Sequence, residues 1–284
     1  MGWAPQGIAT ASLGSVLLVP FYEHSTNPGM ETTISVFNSH PTLSTRVHAY
    51  FMGSSGVSDF FLDPISLGSL VVFNASDLDP TNRGMMFLAA IDETNGAPVN
   101  FNYLGASVRF TRDGGYGVDY PAVAIRCVQD DYVASVVANL STMSFNNAMF
   151  GFLPTYLKFT GLTSDSFIGV SGLHSDFLQT DSGPISSMEA IITNDLGQST
   201  GRFFPVIAPS LSVGSGLFGT LFAAKASFIT GRVCNLVLRY KKITGRPYKF
   251  LTAMACNKDR STIQPAHGRH NGTFEPNIYC GVAW

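Results

Sequence analysis

Charge is scarce in this chain. Only 13% of its 284 residues are Asp, Glu, Lys or Arg, about half the share of an average soluble domain. That composition argues against an ordinary helix-rich cytosolic enzyme. Long hydrophobic runs are missing as well, and with no stretch of about 18 apolar residues there is no membrane-spanning helix. Tryptophan is limited to Trp3 and Trp284, one near each end, a poor platform for sugar stacking. No Lys or Arg occurs from Met1 to Gln6, so the charged opening of a signal peptide is absent.

The catalytic signatures are missing too. None of the four cysteines sits in a C-x-x-C spacing, which removes the zinc-ribbon and thioredoxin signatures. No G-x-S-x-G elbow occurs, and Gly169-Val170-Ser171-Gly172 is not one. Gly214-Ser215-Gly216-Leu217-Phe218-Gly219 fits G-x-G-x-x-G. A dinucleotide site, however, needs an acid about 20 residues further on, and none follows before Asp259. No cofactor is expected and no enzyme is read. The alternative is a hydrolase built on two carboxylates, which need no motif.

One sign of charge vanishes locally. Leu196 to Lys258 contains no Asp or Glu. Residues 1–195 hold 6 basic and 17 acidic residues, a net of −11. Residues 196–284 hold 11 basic and 2 acidic residues, a net of +9, so the total of −2 conceals two opposed parts.

What is present is β chemistry. Phe (22), Gly (28) and Pro (15) are abundant. Short apolar or alternating runs recur between turn residues, at Thr32–Phe37, Val47–Met52, Phe60–Leu62, Leu70–Phe73, Met85–Ile91, Val99–Leu104 and Val108–Thr111. Further runs follow at Val133–Leu140, Phe150–Phe159, Phe167–Val170, Met188–Thr193, Phe203–Ile207, Val233–Tyr240 and Tyr248–Ala255. Leu217–Ile229 reads as a short helix. The spacing predicts an all-β protein, an antiparallel, jelly-roll-like sandwich. Asn95-Gly96 between two apolar runs is the strongest hairpin signal. Residues 1–28 read as an N-terminal extension and residues 29–284 as the sandwich domain. The extension has an apolar strip of Leu13, Val16, Leu17, Leu18 and Val19. This strip would be either a strand donated to a neighbour or the first strand of its own sheet.

Residues 33–110 carry a resemblance. The pieces are Asn38-Ser39-His40-Pro41, Val47-His48 leading to Phe51 and Gly53, and Phe73-Asn74-Ala75-Ser76-Asp77-Leu78-Asp79-Pro80 with Gly84. The last piece is Asp92 followed by Gly96-Ala97-Pro98-Val99-Asn100-Phe101-Asn102-Tyr103-Leu104. In order and turn chemistry this segment resembles an uncharacterised family of secreted bacterial β-rich proteins. Relatives often carry a cysteine just after the Gly53 position, where this chain has Val57 and Ser58. The resemblance implies export and β architecture; it supplies no activity.

Among candidate sites, Cys127, Cys234, Cys256 and Cys280 allow three disulfide pairings. Cys127 with Cys234 and Cys256 with Cys280 suit their strand and tail positions, and buried thiols are the alternative. Asp77 and Asp79 are weak calcium candidates, since alternate oxygen ligands suit that ion, but a plain turn explains them equally. His267 and His270 lack a third ligand. The basic residues Arg202, Lys225, Arg232, Arg239, Lys241, Lys242, Arg246 and Lys249 form a candidate assembly face. The reading that follows is an extracellular, self-assembling subunit of a filament or surface layer, joined head to tail to copies of itself by opposed charge. A secreted adhesin or carbohydrate-binding module for surface glycans, and a viral jelly-roll capsid protein, are the alternatives. Nucleic acid is not expected as a partner.

Overall fold

The computed structural model describes residues 13–26, 29–53, 56–78, 83–112 and 116–127. Beyond these it describes 156–162, 166–174, 186–193, 196–206, 211–213, 234–241, 249–257, 263–265, 267–270 and 273–274. Nearly all of it is β-strand, and every strand pairing is antiparallel. The N-terminal strands are β1 (Val16–Glu23), β2 (Ser25–Thr26), β3 (Gly29–Asn38), β4 (Arg46–Gly53), β5 (Gly56–Phe61) and β6 (Leu70–Asn74). A single helical turn, α1 (Ala75–Leu78), precedes β7 (Arg83–Ile91), β8 (Leu104–Arg112), β9 (Tyr116–Pro121) and β10 (Val123–Ile125).

The later strands are β11 (Tyr156–Leu162), β12 (Ser166–His174), β13 (Ser186–Thr193), β14 (Ser199–Val206) and β15 (Leu211–Val213). They continue with β16 (Cys234–Lys241), β17 (Lys249–Asn257), β18 (Ile263–Pro265), β19 (His267–His270) and β20 (Thr273–Phe274). A first sheet runs β10-β1-β7-β4-β5, and a second runs β2-β3-β8-β9 with β6 also on β3. A third runs β14-β13-β16-β11-β19-β20 and a fourth β15-β12-β17-β18.

The inner strands of the first sheet, β1, β7 and β4, are buried on both faces. Leu17, Val19 and Phe21 of β1, Val47, Ala49 and Phe51 of β4, and Met86, Leu88 and Ala90 of β7 share one core with Ile34, Val36, Ala106, Val108 and Phe110 of the second sheet. The opposite face is also closed to water, at Val16, Leu18, Met52, Phe87, Ala89, Val123 and Ile125, and β17 runs close to β1. Strands buried on both sides need continuous apolar sequence rather than alternation, which is what Val-Leu-Leu-Val and Met-Met-Phe-Leu-Ala-Ala-Ile supply. The second sheet has one wet face, so β3 alternates half-buried and buried along its length.

Of the two readings of the N-terminal apolar strip, β1 takes the second, a strand of its own sheet. β1 lies between β7 and β10, with Val16 opposite Ala89 and Ile125. It is an inner strand of its own sheet, and the hairpin pairing Thr26 with Gly29 runs across the expected boundary at residue 28. Leu13 lies just ahead of the strand and is half-buried. Pro20 cannot donate to a ladder, and the β1–β7 register shifts between Val19 and Tyr22. At Gly84 an added Cβ would overlap the carbonyl of Met52 and the phenol of Tyr22, so glycine lets three strands close together. Side chains then tie the sheets. Thr32 Oγ1 donates to the Glu23 carbonyl at 2.8 Å and accepts its N–H at 3.0 Å, and the Tyr120 hydroxyl donates to the Phe21 carbonyl.

Val99–Leu104 is not the strand its pattern predicts. Val99 N–H donates to the Ala90 carbonyl, and the chain then turns, buried, up to β8. Side chains satisfy its backbone. Ser15 Oγ accepts the Phe101 N–H at 2.8 Å and donates to Asn102 Oδ1 at 2.9 Å. Asn102 Oδ1 accepts the Cys127 N–H at 2.7 Å, and its Nδ2 donates to the Cys127 carbonyl at 3.0 Å. Asn95-Gly96 does reverse the chain, with Gly96 at φ +70° and Ile91 bridged to Pro98, but no two-stranded ladder follows. The expected strand Val133–Leu140, the first residues of Phe150–Phe159 and the expected helix Leu217–Ile229 lie outside the described residues.

The double burial of β1 sets the first expectation. Leu17→Ala lowers unfolding free energy by about 3 kcal/mol in urea titration. A chain lacking residues 1–22 shows no cooperative transition by circular dichroism; a sharp transition in that truncation would contradict the inner-strand placement.

Candidate functional site

The residues with chemical potential in the described part gather at the β4–β5 hairpin. Register pairs His48 with Phe61 and Tyr50 with Asp59, so all four share one face. His48 Nε2 meets Asp59 Oδ2 at 2.8 Å, and the Tyr50 hydroxyl meets His48 Nδ1 at 2.5 Å. The Phe61 ring stacks on the imidazole, with centroids 3.9 Å apart and 23° between planes. The Arg46 guanidinium lies 5.1 Å from the Phe61 centroid, a cation–π arrangement.

Burial pushes the His48 imidazole below its ordinary value. The hydrogen bond and charge of Asp59 oppose that shift, and Arg46 adds a smaller lowering. Burial, then the Asp59 charge, pushes the Tyr50 phenol up. A neutral phenol therefore donates to Nδ1, while Nε2–H donates to the carboxylate. Both ring nitrogens are occupied, so this imidazole has none to spare as general base for a substrate. The cluster fastens an edge hairpin.

Two sheet edges also expose apolar side chains. β5 ends the first sheet and β6 ends the second, and residues 62–69 carry the chain from one to the other. Among the described residues, no strand pairs with the outer edge of β5 or of β6. Phe60 and Phe61 are 44% and 43% exposed, and Leu70 and Val72 are 56% and 55% exposed. Leu67, between the strands, is exposed too. β6 has the sequence Leu-Val-Val-Phe-Asn, with none of the charges or prolines that usually blunt an edge.

Asn38, His40 and Asp92 act as turn fasteners. Asn38 Nδ2 donates to the carbonyls of Leu43 and Ile65, and its Oδ1 accepts the His40 N–H. His40 Nδ1 accepts from Thr42 and Leu43 N–H, and its ring stacks on Phe101 with Tyr103 edge-on. Asp92 accepts N–H bonds from Thr94 and Asn95; the Thr94 bond, largest of the causes, holds its carboxyl below the usual range.

The remaining expected residues are dispersed. Val16, Leu17, Leu18 and Val19 are buried in an inner strand, and Leu13 lies half-buried just ahead of it. Asp77 is exposed on α1 and Asp79 lies outside the described residues; among the described residues no three His, Cys, Asp or Glu gather as a metal site. Cys127 is buried and is not in a disulfide, in line with the buried-thiol alternative. Cys234 starts β16, Cys256 lies in β17 opposite Phe167, and Cys280 lies outside the described residues.

The expected basic face divides. Arg239 and Lys241 occupy alternate positions of β16, and Arg202 of β14 falls on the other face of that sheet, opposite Ala190. Lys249 is in the fourth sheet, opposite His174. Lys225, Arg232, Lys242 and Arg246 lie outside the described residues. Sequence reading missed both the β5 and β6 edges and the His48 cluster. The signal for the β6 edge was the absence of any charge in residues 64–74.

The His48 cluster gives a pH expectation. The unfolded chain takes up a proton near pH 6.5, whereas the buried imidazole resists it. Its contribution to stability is full above that pH and is lost as pH falls from 6.5 towards the lower folded value. Asp59→Asn removes the raising influence, so the His48 ring titrates lower still in NMR; a rise in that variant would show that Asp59 does not hold the imidazole up.

No protein-family model, curated protein or solved structure matches this chain.

Proposed function

We propose that this protein is a structural subunit that assembles with copies of itself outside the cell, its first two sheets forming a β-sandwich. The observation that carries the reading is the pair of edges at β5 and β6, which no strand covers among the described residues and which expose Phe60, Phe61, Leu70 and Val72. β6, an edge strand without charge, proline or bulge, is a template for another strand. A second copy offers the same edges, so addition at one leaves another open and growth continues. The His48–Asp59–Tyr50 contacts hold the β5 edge in place for this contact. The resemblance of residues 33–110 to exported β-rich proteins supports the extracellular location.

Sedimentation velocity and negative-stain microscopy of the full chain test the reading. The expected outcome is concentration-dependent fibres or sheets that disappear in Leu70→Lys/Val72→Lys. Both side chains are exposed, so this variant melts within a few degrees of the parent. A parent that stays monomeric at every concentration would sink the proposal. Closed spherical particles would favour the capsid alternative, and saturable glycan binding by a permanent monomer would favour the adhesin.

A further inference from the structure

The turn that follows β7 carries covalent chemistry of its own. Residues 92–97 lead from β7 into the buried segment that precedes β8. Asp92 Oδ1 accepts the N–H groups of Thr94 and Asn95 at 2.7 and 3.2 Å. The Asp92 carbonyl accepts the Gly96 N–H at 2.9 Å, and the Asp92 N–H donates to the Ala97 carbonyl at 2.8 Å. Asn95 at the tip is exposed, and its Oδ1 accepts the Ala97 N–H at 2.8 Å.

That last bond folds the Asn95 carboxamide back along its own main chain, spanning the Gly96 peptide. It also polarises the group. Ala97 is buried, so its N–H is a shielded donor, set on the oxygen that takes up negative charge when Cγ is attacked. The adjacent nucleophile is the Gly96 nitrogen. Gly96 has no side chain to block the approach, and even an added Cβ would meet nothing within 4 Å. Glycine also lets that peptide rotate out of its φ of +70° at little cost.

The other described asparagines lack this combination. Asn38 is buried, with its amide bonded to Leu43, Ile65 and His40. Asn74 accepts from Thr33 and precedes Ala75. Asn100 and Asn102 are buried and precede Phe101 and Tyr103. Asn235 and Asn257 lie in strands, before Leu236 and Lys258. Among the described residues Asn95 alone is followed by glycine.

We propose that Asn95 is a self-modification site, converted through a cyclic imide without enzyme or cofactor. The Gly96 nitrogen bonds to Asn95 Cγ, the Cγ–Nδ2 bond breaks, and the amino group leaves as ammonia with the proton that Gly96 gives up. Water then opens one of the two imide carbonyls. Opening at the side-chain carbonyl leaves aspartate, and opening at the main-chain carbonyl leaves isoaspartate. No electrons are exchanged. Both products add a negative charge beside Asp92 and Glu93. Isoaspartate also adds a methylene to the main chain, which throws the Asp92 bonds to Gly96 and Ala97 out of register. The inference does not depend on the assembly reading.

Peptide mapping by mass spectrometry tests it, on the full chain held folded for days in warm, mildly alkaline buffer. The Asn95 peptide splits into an aspartate and isoaspartate pair, while Asn38, Asn100 and Asn102 remain amides. Gly96→Ala sets a methyl beside the attacking nitrogen and slows conversion by at least about tenfold. That variant is strained at its left-handed φ, so Asn95→Gln supplies a second measurement. Its imide ring would be one atom larger and closes far more slowly, so position 95 stays an amide. The aged parent melts a few degrees below the fresh one, whereas Asn95→Asp, which has the charge without the extra methylene, melts with the fresh parent. The proposal is overturned if Asn95 keeps its amide throughout, if a buried asparagine converts as fast, or if Gly96→Ala or Asn95→Gln converts at the parent rate.

Discussion

Everything in the N-terminal half depends on burying the inner strands of one sheet from both sides. β1, β7 and β4 have no wet face, so their sequences have no room for polar alternation. Water exclusion on two faces supplies most of the stabilisation available to a chain with so little charge. It also imposes conditions on everything nearby. Backbone groups in that interior must pair, which is why Thr32, Tyr120, Ser15 and Asn102 spend their side chains on main-chain partners. It fixes where glycine is needed, at Gly84, and where proline forces a register shift, at Pro20.

The same constraint separates structural polar residues from others. His40, Asn38 and Asp92 look functional in a sequence because their residue types are reactive or ligating. In the fold each is consumed by turn geometry. His48 is consumed differently, held between a carboxylate and a phenol beneath an aromatic ring. Among the described residues, what is left for contact with other molecules is two sheet edges that no strand covers.

How much of this was legible follows from periodicity. β3, β4, β6, β7 and β8 were readable because their apolar runs are bounded by turn residues. The role of β1 was not, since a continuous apolar run looks the same whether it is donated or buried at home. Val99–Leu104 misled because Asn100 and Asn102 alternate with apolar residues as strand positions would, while Asn102 is a buried hydrogen-bonding hub. The basic face misled in another way. Charge was grouped along the sequence, yet register is what groups residues in a sheet. It moves Arg202 to the opposite face from Arg239 and carries Lys249 to another sheet.

The inner position of β1 has a consequence for how the molecule is made. Its two neighbours are β7 and β10, and the latter ends at Ile125. During synthesis Val16 to Tyr22 waits about 70 residues for β7 and about 100 for β10, a delay on the order of 4–20 s at ordinary ribosomal speeds. Until β7 is made this apolar strand has no partner in its sheet, and until β10 is made one of its edges stays open. Loop closure over such separations is slow, so the chain carries a water-averse segment exposed for most of its own synthesis.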